Sequence, residues 1–332
     1  MKAASLASSD MLALVRKRLL TGELRVDARK PFRFLLCGDP RLVAELRATL
    51  LHGHAEANVP PDAPATLETI DPVRRPTVVG PDARCVIFLG EPGDLAGGRI
   101  DLLEQLRLPI FALTVDPANA ESHPVAAPNA GSTAEYVVPR IDRETLRSHF
   151  FPHLIERCKG VEVAVGLRLP PLRETVAAKL TRDAAMSSLK VAGASAVMDH
   201  VPVLGLLLGA VASAGDMVAI TGIQIVLMLQ IGATYGKDPD VQRVWELLPV
   251  VGGGFGWRAL SRELSGFIPV AGVAIKGAIA YAGTIVVGES VTFFYEHGRH
   301  MTRTQAAQIY EERKHTATVF ARDLLDRLRR RQ

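Results

Sequence analysis

The hydrophobic positions follow different patterns in the two halves of the chain. The first half contains four short apolar runs separated by turns and by segments of helical spacing; the runs lie at residues 32–37, 85–89, 109–115 and 135–138. A weaker run at 66–70 fits an edge strand, and a helix is expected over 143–158. Continuous apolar strands that alternate with helices are typical of a parallel sheet covered on both faces. The pattern predicts an α/β domain over residues 30–158.

In the second half, a polar helix is expected over 170–190, and charged residues become rare after it. Residues 217–236 contain no charge, and residues 267–288 contain Lys276 as their only charged residue. A membrane-spanning helix needs about 20 mainly apolar residues, so both stretches are long enough. A soluble bundle with helices buried on all sides gives the same pattern. If the stretches span a membrane, the basic segments on either side belong in the cytoplasm, which predicts an even number of spans and most simply two.

Composition and charge narrow the classes of function. Hydrophobic residues make up 48% of the chain and aromatic residues 5%, and mean hydropathy is +0.16. The formal net charge of +4 is concentrated in residues 297–332, where nine Lys and Arg face four acids. Because the rest is nearly neutral, a nucleic-acid-binding face is not expected. The three cysteines lack CxxC spacing and are expected to be buried, reduced thiols rather than zinc ligands.

Two positions in the first half could belong to a nucleotide site. Gly38 follows the first strand and precedes a helix, where backbone N–H groups can hold a phosphate. The segment from Gly38 lacks the second glycine and the Lys-Ser/Thr pair of a P-loop, and Asp39 places a negative charge there. Asp116 ends the third strand, where GTPases carry NKxD, but the remainder of that motif is missing. We interpret both positions as structural and retain a GTP site as the alternative.

The other candidate binding or metal sites have weaker support in the sequence. The glycine cluster at 252–256 does not match a dinucleotide motif and is interpreted as a joint between helices. The pairs His149/His153 and His297/His300 have helical spacing but lack the HExxH carboxylate of a metal site. We therefore expect no metal, no cofactor and no catalytic residue.

Three segments of the second half carry a family resemblance. Residues 202–205, 215–224 and 231–236 form a Pro-containing turn, a Gly-Asp step with a Thr-x-x-Gln helix, and a terminal Tyr-Gly. This pattern resembles a bacterial domain of unknown function found in YcjF-type proteins and beside Era-like GTPases, and the similarity covers about residues 175–300. The resemblance implies a membrane-associated helical domain without established activity. The first half is similar to a degenerate P-loop GTPase-like domain.

Together these observations predict four segments: an N-terminal amphipathic helix and linker (1–29), a GTPase-like α/β domain (30–158), a hydrophobic helical domain (159–300) and a basic C-terminal helix (301–332). We expect Asp216, Thr221 and Gln224 to form the polar core of the helical domain by hydrogen bonding across helices.

The function predicted is that of a non-enzymatic, membrane-associated interaction or regulatory protein. It would lie at the inner membrane with both termini in the cytoplasm. Its expected partners are membrane lipid and an unidentified protein, without nucleic acid, and self-association into a homo-oligomer is left open. The alternatives are a divergent GTP-binding protein or GTPase at the membrane, and a soluble helical scaffold.

Overall fold

The computed structural model describes residues 22–54, 57–71, 79–92, 94, 99–118, 123–124, 133–198, 205–240, 242–250 and 273–329. For part of these residues, including 205–218, the backbone alone is described. The N-terminal helix expected before residue 21 and the glycine cluster at 252–256 lie outside the described residues.

The first half folds around a sheet with five parallel strands. Its strands are β1 (Arg33–Gly38), β2 (Leu67–Thr69), β3 (Ala83–Gly90), β4 (Ile110–Val115), β5 (His123–Pro124) and β6 (Thr133–Val138). Their order is β2-β1-β3-β4-β6-β5, and only the two-residue β5 pairs antiparallel within this described sheet. The predicted parallel α/β architecture is confirmed, with β2 at an edge. The short β5 was not predicted, because two residues give no periodic signal.

Helices and 3-10 turns lie before, between and after these strands. They are α1 (Glu23–Arg29), α2 (Pro40–His52), a 3-10 turn (Ala63–Thr66), α3 (Arg99–Glu104), α4 (Arg143–His149), α5 (Phe151–Glu156), α6 (Glu162–Arg168) and a second 3-10 turn (Pro170–Leu172). The single helix expected over 143–158 is wrong, since the chain forms α4 and α5 there. Pro152 lacks a backbone N–H and is accommodated in the first turn of a new helix.

The core of this part is made of β-strand side chains and a group of aromatic rings. Phe111, Tyr136 and Phe150 contact one another, with the ring of Phe150 edge-on to both others at 5.6 Å between centroids. At the start of β1, the Arg33 guanidinium donates two hydrogen bonds to the Asp82 carboxylate, at 2.7 and 2.8 Å. This pair joins the beginning of β1 to the turn that precedes β3.

The second half is helical. Its helices are α7 (Arg173–Met198), α8 (Gly205–Thr234), α9 (residues 242–250), α10 (Val273–His297) and α11 (Arg303–Arg329). The helix expected to end near residue 190 continues to Met198, because the loss of charge at Val191 does not interrupt helical hydrogen bonding. The chain divides into two compact units, one of residues 26–179 and one of residues 180–332 with the segment up to Arg25, so the division falls within α7.

Within the helical unit, the two apolar helices α8 and α10 run parallel. Ile220 packs with Ala280, Gln224 hydrogen-bonds Thr284, and Tyr235 stacks on Tyr295, so the pairs advance together along both helices. The α7 helix runs antiparallel to α10. Two consecutive membrane spans would be antiparallel, so α8 and α10 do not form the simple pair of spans expected from the sequence.

One helical segment among the described residues, Gly277–His297, has the length and composition to cross a membrane, with a mean hydropathy of 1.4. Of its most apolar window, 72% is buried inside the structure, as for a core helix of a bundle.

Candidate functional site

A cleft of 670 Å³ opens at the carboxyl ends of the sheet strands. In the order β2-β1-β3-β4-β6, the chain leaves β1 toward β2 on one side and returns to β3 on the other. Ligands of open α/β sheets bind at such a switch point, outside the carboxyl ends of the strands. Gly38 lies in the lining of this cleft, so the structure places one of the two predicted positions at the expected edge of the sheet.

The geometry at Gly38 explains why a glycine ends β1. Its φ is +112°, and a Cβ at this position would overlap the carbonyl oxygen of Leu89 and lie 2.8 Å from the Leu89 carbonyl carbon. The next backbone N–H, that of Asp39, donates to the same Leu89 oxygen at 2.8 Å. Gly38 therefore allows β1 and β3 to approach closely where the chain turns into α2.

The N-terminus of α2 is occupied by a side chain of the protein itself. Asp39 is the N-cap, and its Oδ1 accepts hydrogen bonds from the backbone N–H groups of Arg41 and Leu42 at 2.9 and 3.0 Å. Pro40, at the first helical position, has no N–H to offer. A bound phosphate would need the same N–H groups and would meet the Asp39 carboxylate.

Among the described residues that line the cleft, carboxylates outnumber cations. Asp71 and Asp94 line it together with Asp39, and Asp94 accepts a hydrogen bond from the backbone N–H of Glu91 at 2.8 Å. Arg47 is the basic residue among the described lining residues, and its guanidinium donates to the main-chain carbonyls of Pro64 and Leu67. The described part of the wall therefore has more carboxylates than cations, which disfavours a phosphate there.

The apolar floor of the cleft includes Cys37, whose thiol is buried. Burial and, as the smaller cause, the charge of Asp71 raise the pKa of Cys37 to about 12. Since the thiolate is the nucleophilic form of cysteine, Cys37 is unsuited to nucleophilic chemistry at neutral pH.

Asp116 lies at the same edge of the sheet but is not part of the cleft lining. It follows β4, which β3 separates from β1. Its Oδ1 accepts a hydrogen bond from the backbone N–H of Ala118 at 3.0 Å, which closes a local turn. The structure therefore gives Asp116 a role in the turn that ends β4.

A buried hydrogen-bonded cluster in the helical unit contains one of the three residues expected in its polar core. Gln224 on α8 donates to the Thr284 hydroxyl on α10 at 3.3 Å, and that hydroxyl donates to Ser188 Oγ on α7 at 2.9 Å. Ser188 and Thr284 are fully buried, and Gln224 is nearly so. Thr221 is also buried. Asp216 lies on α8 at a position where the backbone alone is described.

Sequence reasoning did not identify Ser188 and Thr284 as partners of Gln224. A hydroxyl residue isolated in an apolar helix indicates a possible buried hydrogen bond, but the sequence does not indicate which neighbouring helix the hydroxyl faces. Nor were Asp71 and Asp94 linked to Gly38, because the sheet order that brings them to one cleft is not visible in the sequence.

Among the described residues, no group of three or more His, Cys, Asp or Glu is arranged to hold a metal ion. His153 lies against Tyr136, with ring centroids 5.4 Å apart, and His297 stacks on Phe293 at 4.2 Å. These two rings act in packing.

Comparison of the chain with family models, curated proteins and solved structures gives no match. The similarity to YcjF-type proteins therefore stays a prediction.

Proposed function

We propose that this chain is a membrane-associated, non-enzymatic interaction protein of the cytoplasmic membrane, with both termini in the cytoplasm. The helical unit would bind the membrane, and the α/β unit would bind a protein partner. One observation carries this proposal: α8 has Asp216 as its only titratable residue over 30 residues, a length of about 45 Å. The segment Gly277–His297 beside it also has the composition of a membrane helix.

A soluble helical scaffold is the second candidate, and the burial of 72% of the α10 window favours it. Cell fractionation of the full-length chain separates the two candidates. Membrane association predicts that the chain sediments with membranes. Release by alkaline carbonate then indicates docking, whereas a requirement for detergent indicates insertion. Recovery in the soluble fraction at low salt would contradict the membrane proposal.

For the α/β unit, we propose a YcjF-associated, GTPase-like fold that has lost its nucleotide chemistry. The five parallel strands have a doubly wound order with a crevice between β1 and β3, which a GTPase-like core would share with other doubly wound folds. The Asp39 carboxylate, which caps α2 in the place of a phosphate, supports the loss of nucleotide binding. We propose that this unit acts through a surface that binds a protein partner.

Titration of the purified chain with fluorescent GTP and ATP in the presence of Mg²⁺ tests this part. We expect no saturable binding at micromolar nucleotide. An Asp39→Asn variant keeps a helix-capping side chain but removes the charge, and serves as the matched control. Saturable binding by the wild-type chain, lost in an Asp116→Ala variant, would replace the proposal with the divergent GTPase alternative.

A further inference from the structure

Helix α9 exposes an apolar face in the helical unit. Trp245 is 59% exposed and Leu248 36% exposed, and their i, i+3 spacing puts them on one face of the helix. Val244 and Leu247, on the other face, are buried. Trp245 is the most exposed large hydrophobic side chain among the described residues, and Trp is enriched in interfaces because its large apolar ring gains from burial. The exposed pair, called here the Trp245 face, is therefore a candidate docking surface.

The loop before α9 is joined to the beginning of α1. The Arg25 guanidinium donates two hydrogen bonds to the Asp238 carboxylate, from Nε and Nη2, both at 2.9 Å. Two parallel hydrogen bonds fix the orientation of such a pair as well as its distance. Arg25 and Asp238 both belong to the helical unit. Asp240 then accepts a hydrogen bond from the backbone N–H of Arg243 at 2.8 Å and caps α9, so α9 starts directly beyond this loop.

Residues 1–21 lie outside the described residues, but their sequence and the residue that follows them are informative. Met11, Val15 and Leu19 recur at i, i+4 spacing, so a helix over residues 9–20 would place them in one apolar stripe. Gly22 has a φ of +69°, the left-handed conformation that commonly follows the last turn of a helix. Both observations favour an amphipathic helix that ends just before Gly22.

The end of this segment lies close to the loop before α9. Residue 20 precedes Arg25 by five residues, and an extended chain spans at most about 3.6 Å per residue, so the two lie within about 18 Å of each other. A helix over residues 9–20 would itself be about 18 Å long. Because Arg25 is held by Asp238, the segment is within reach of α9.

The segment and the region around α9 have opposite net charges. Between Lys237 and Val250, three acids and two bases give a net charge of −1, whereas residues 9–21 contain three bases and one acid, a net charge of +2. The side chains of Asp238 and Glu246 are 61% and 46% exposed although each already pairs with an arginine. Opposite charges at the border of an apolar contact favour its formation and its orientation.

We propose that residues 9–20 dock as an amphipathic helix on the Trp245 face, with Met11, Val15 and Leu19 against Trp245 and Leu248. The occupant of this surface is thus a segment of the same chain. The inference is independent of the proposed membrane association and goes beyond it. The apolar stripe of the segment would be covered by α9, so this stripe would stabilise the helical unit instead of entering a bilayer.

Cross-linking of introduced cysteines in the purified full-length chain tests this proposal. The test variant is Val15→Cys with Leu248→Cys, and the matched control is Ala13→Cys with Leu248→Cys. Positions 13 and 15 lie in the same tryptic peptide, residues 3–16, and position 248 lies in residues 244–258. A helix would place residue 13 on the side opposite the apolar stripe. Because the native thiols are buried, a short bismaleimide should join the introduced thiols.

We expect the joined peptide to be about tenfold more abundant in the test variant than in the control, because docking gives the thiols at positions 15 and 248 a high effective concentration. The cross-linked chain should migrate as a monomer. Fluorescence gives a second measurement without introduced cysteines. In a Trp257→Phe background, Trp245 is the remaining tryptophan, and Leu19→Asp should increase its quenching by acrylamide. Leu20→Asp changes the charge equally outside the stripe and should leave the quenching unchanged.

The outcomes separate this inference from the proposed function. Equal cross-linking of positions 13 and 15, or no cross-link from either, would overturn the inference. A product of twice the mass would show that a second copy of the chain occupies the Trp245 face and would overturn it as well. So would equal quenching of Trp245 in the Leu19→Asp and Leu20→Asp variants. Each of these results leaves the membrane association standing, which cell fractionation tests separately.

Discussion

Replacement of Gly38 by alanine tests the interpretation of this position as a structural turn. The perturbation is a single methyl group placed against the main chain of β3. The methyl would overlap the Leu89 carbonyl oxygen and lie 2.9 Å from the Leu89 nitrogen, and neither atom belongs to a flexible side chain. The alanine would also have to adopt the φ of +112° that the glycine has.

Two contributions set the expected magnitude. A positive φ costs a residue with a Cβ about 1–2 kcal/mol. Insertion of a methyl group against a closely packed backbone costs about 1–3 kcal/mol more. Separation of β1 from β3 to relieve the overlap would weaken the hydrogen bond from Asp39 N–H to Leu89. We therefore expect Gly38→Ala to destabilise the α/β unit by about 2–5 kcal/mol.

Gly160 provides a matched control in the same unit. Its φ is +78°, but a Cβ there would have no neighbour within 4 Å, so Gly160→Ala should cost only the backbone contribution of about 1–2 kcal/mol. Native-state hydrogen exchange of peptides that cover β1 and β3 measures each variant without assuming that both units unfold together. If Gly38→Ala destabilises these strands no more than Gly160→Ala, the close approach to Leu89 does not explain the glycine.

Three further outcomes are expected. The hydrogen bond from Arg33 lowers the pKa of Asp82 below its ordinary 3.8, so the stabilisation is present above that pH and lost as pH falls through the lower folded-state pKa. In denaturant titrations at neutral pH and at about pH 2, Asp82→Asn should lose less stability between the two pH values than wild type does. Burial raises the pKa of all three cysteines, so none should be alkylated by iodoacetamide in the native chain at neutral pH. Mass spectrometry measures the alkylation, and rapid labelling of the native chain would contradict the burial of these thiols. Thr284→Val removes the acceptor of the Gln224 amide and should lower the stability measured by thermal unfolding by about 1–3 kcal/mol. Thr284→Ser keeps the hydroxyl and should lower the stability less. Equal losses of stability in the two variants would exclude a contribution from the hydrogen bond.

The strands could be predicted because the sheet buries them on both faces. Cys85–Leu89 and Ile110–Val115 read as continuous apolar runs, and each lies within a strand of the structure. Helix limits were less predictable where hydrogen bonding rather than composition decides them. Pro152 divides one expected helix into two, and α7 passes through the change in composition at Val191.

The candidate sites also contain features that the sequence predicts and features that only the fold determines. The turn at Gly38 and the polar character of Gln224 could be seen in the sequence, because each is a property of one position and its neighbours. The lining of the cleft by Asp71 and Asp94 depends on strands that are distant in sequence. The pairing of Gln224 with Thr284 spans 60 residues and depends on which helices are in contact.

The sequence by itself determined the two kinds of architecture, since the repeat of apolar positions and the distribution of charge are local properties that folding preserves. The tertiary structure decided that α8 and α10 are parallel and that their carboxyl ends meet, with Tyr235 stacked on Tyr295. Both helices are apolar on all sides, so their sequences do not specify a neighbour or a direction. Packing of Ile220 with Ala280, together with the buried hydrogen bond of Gln224, specifies both.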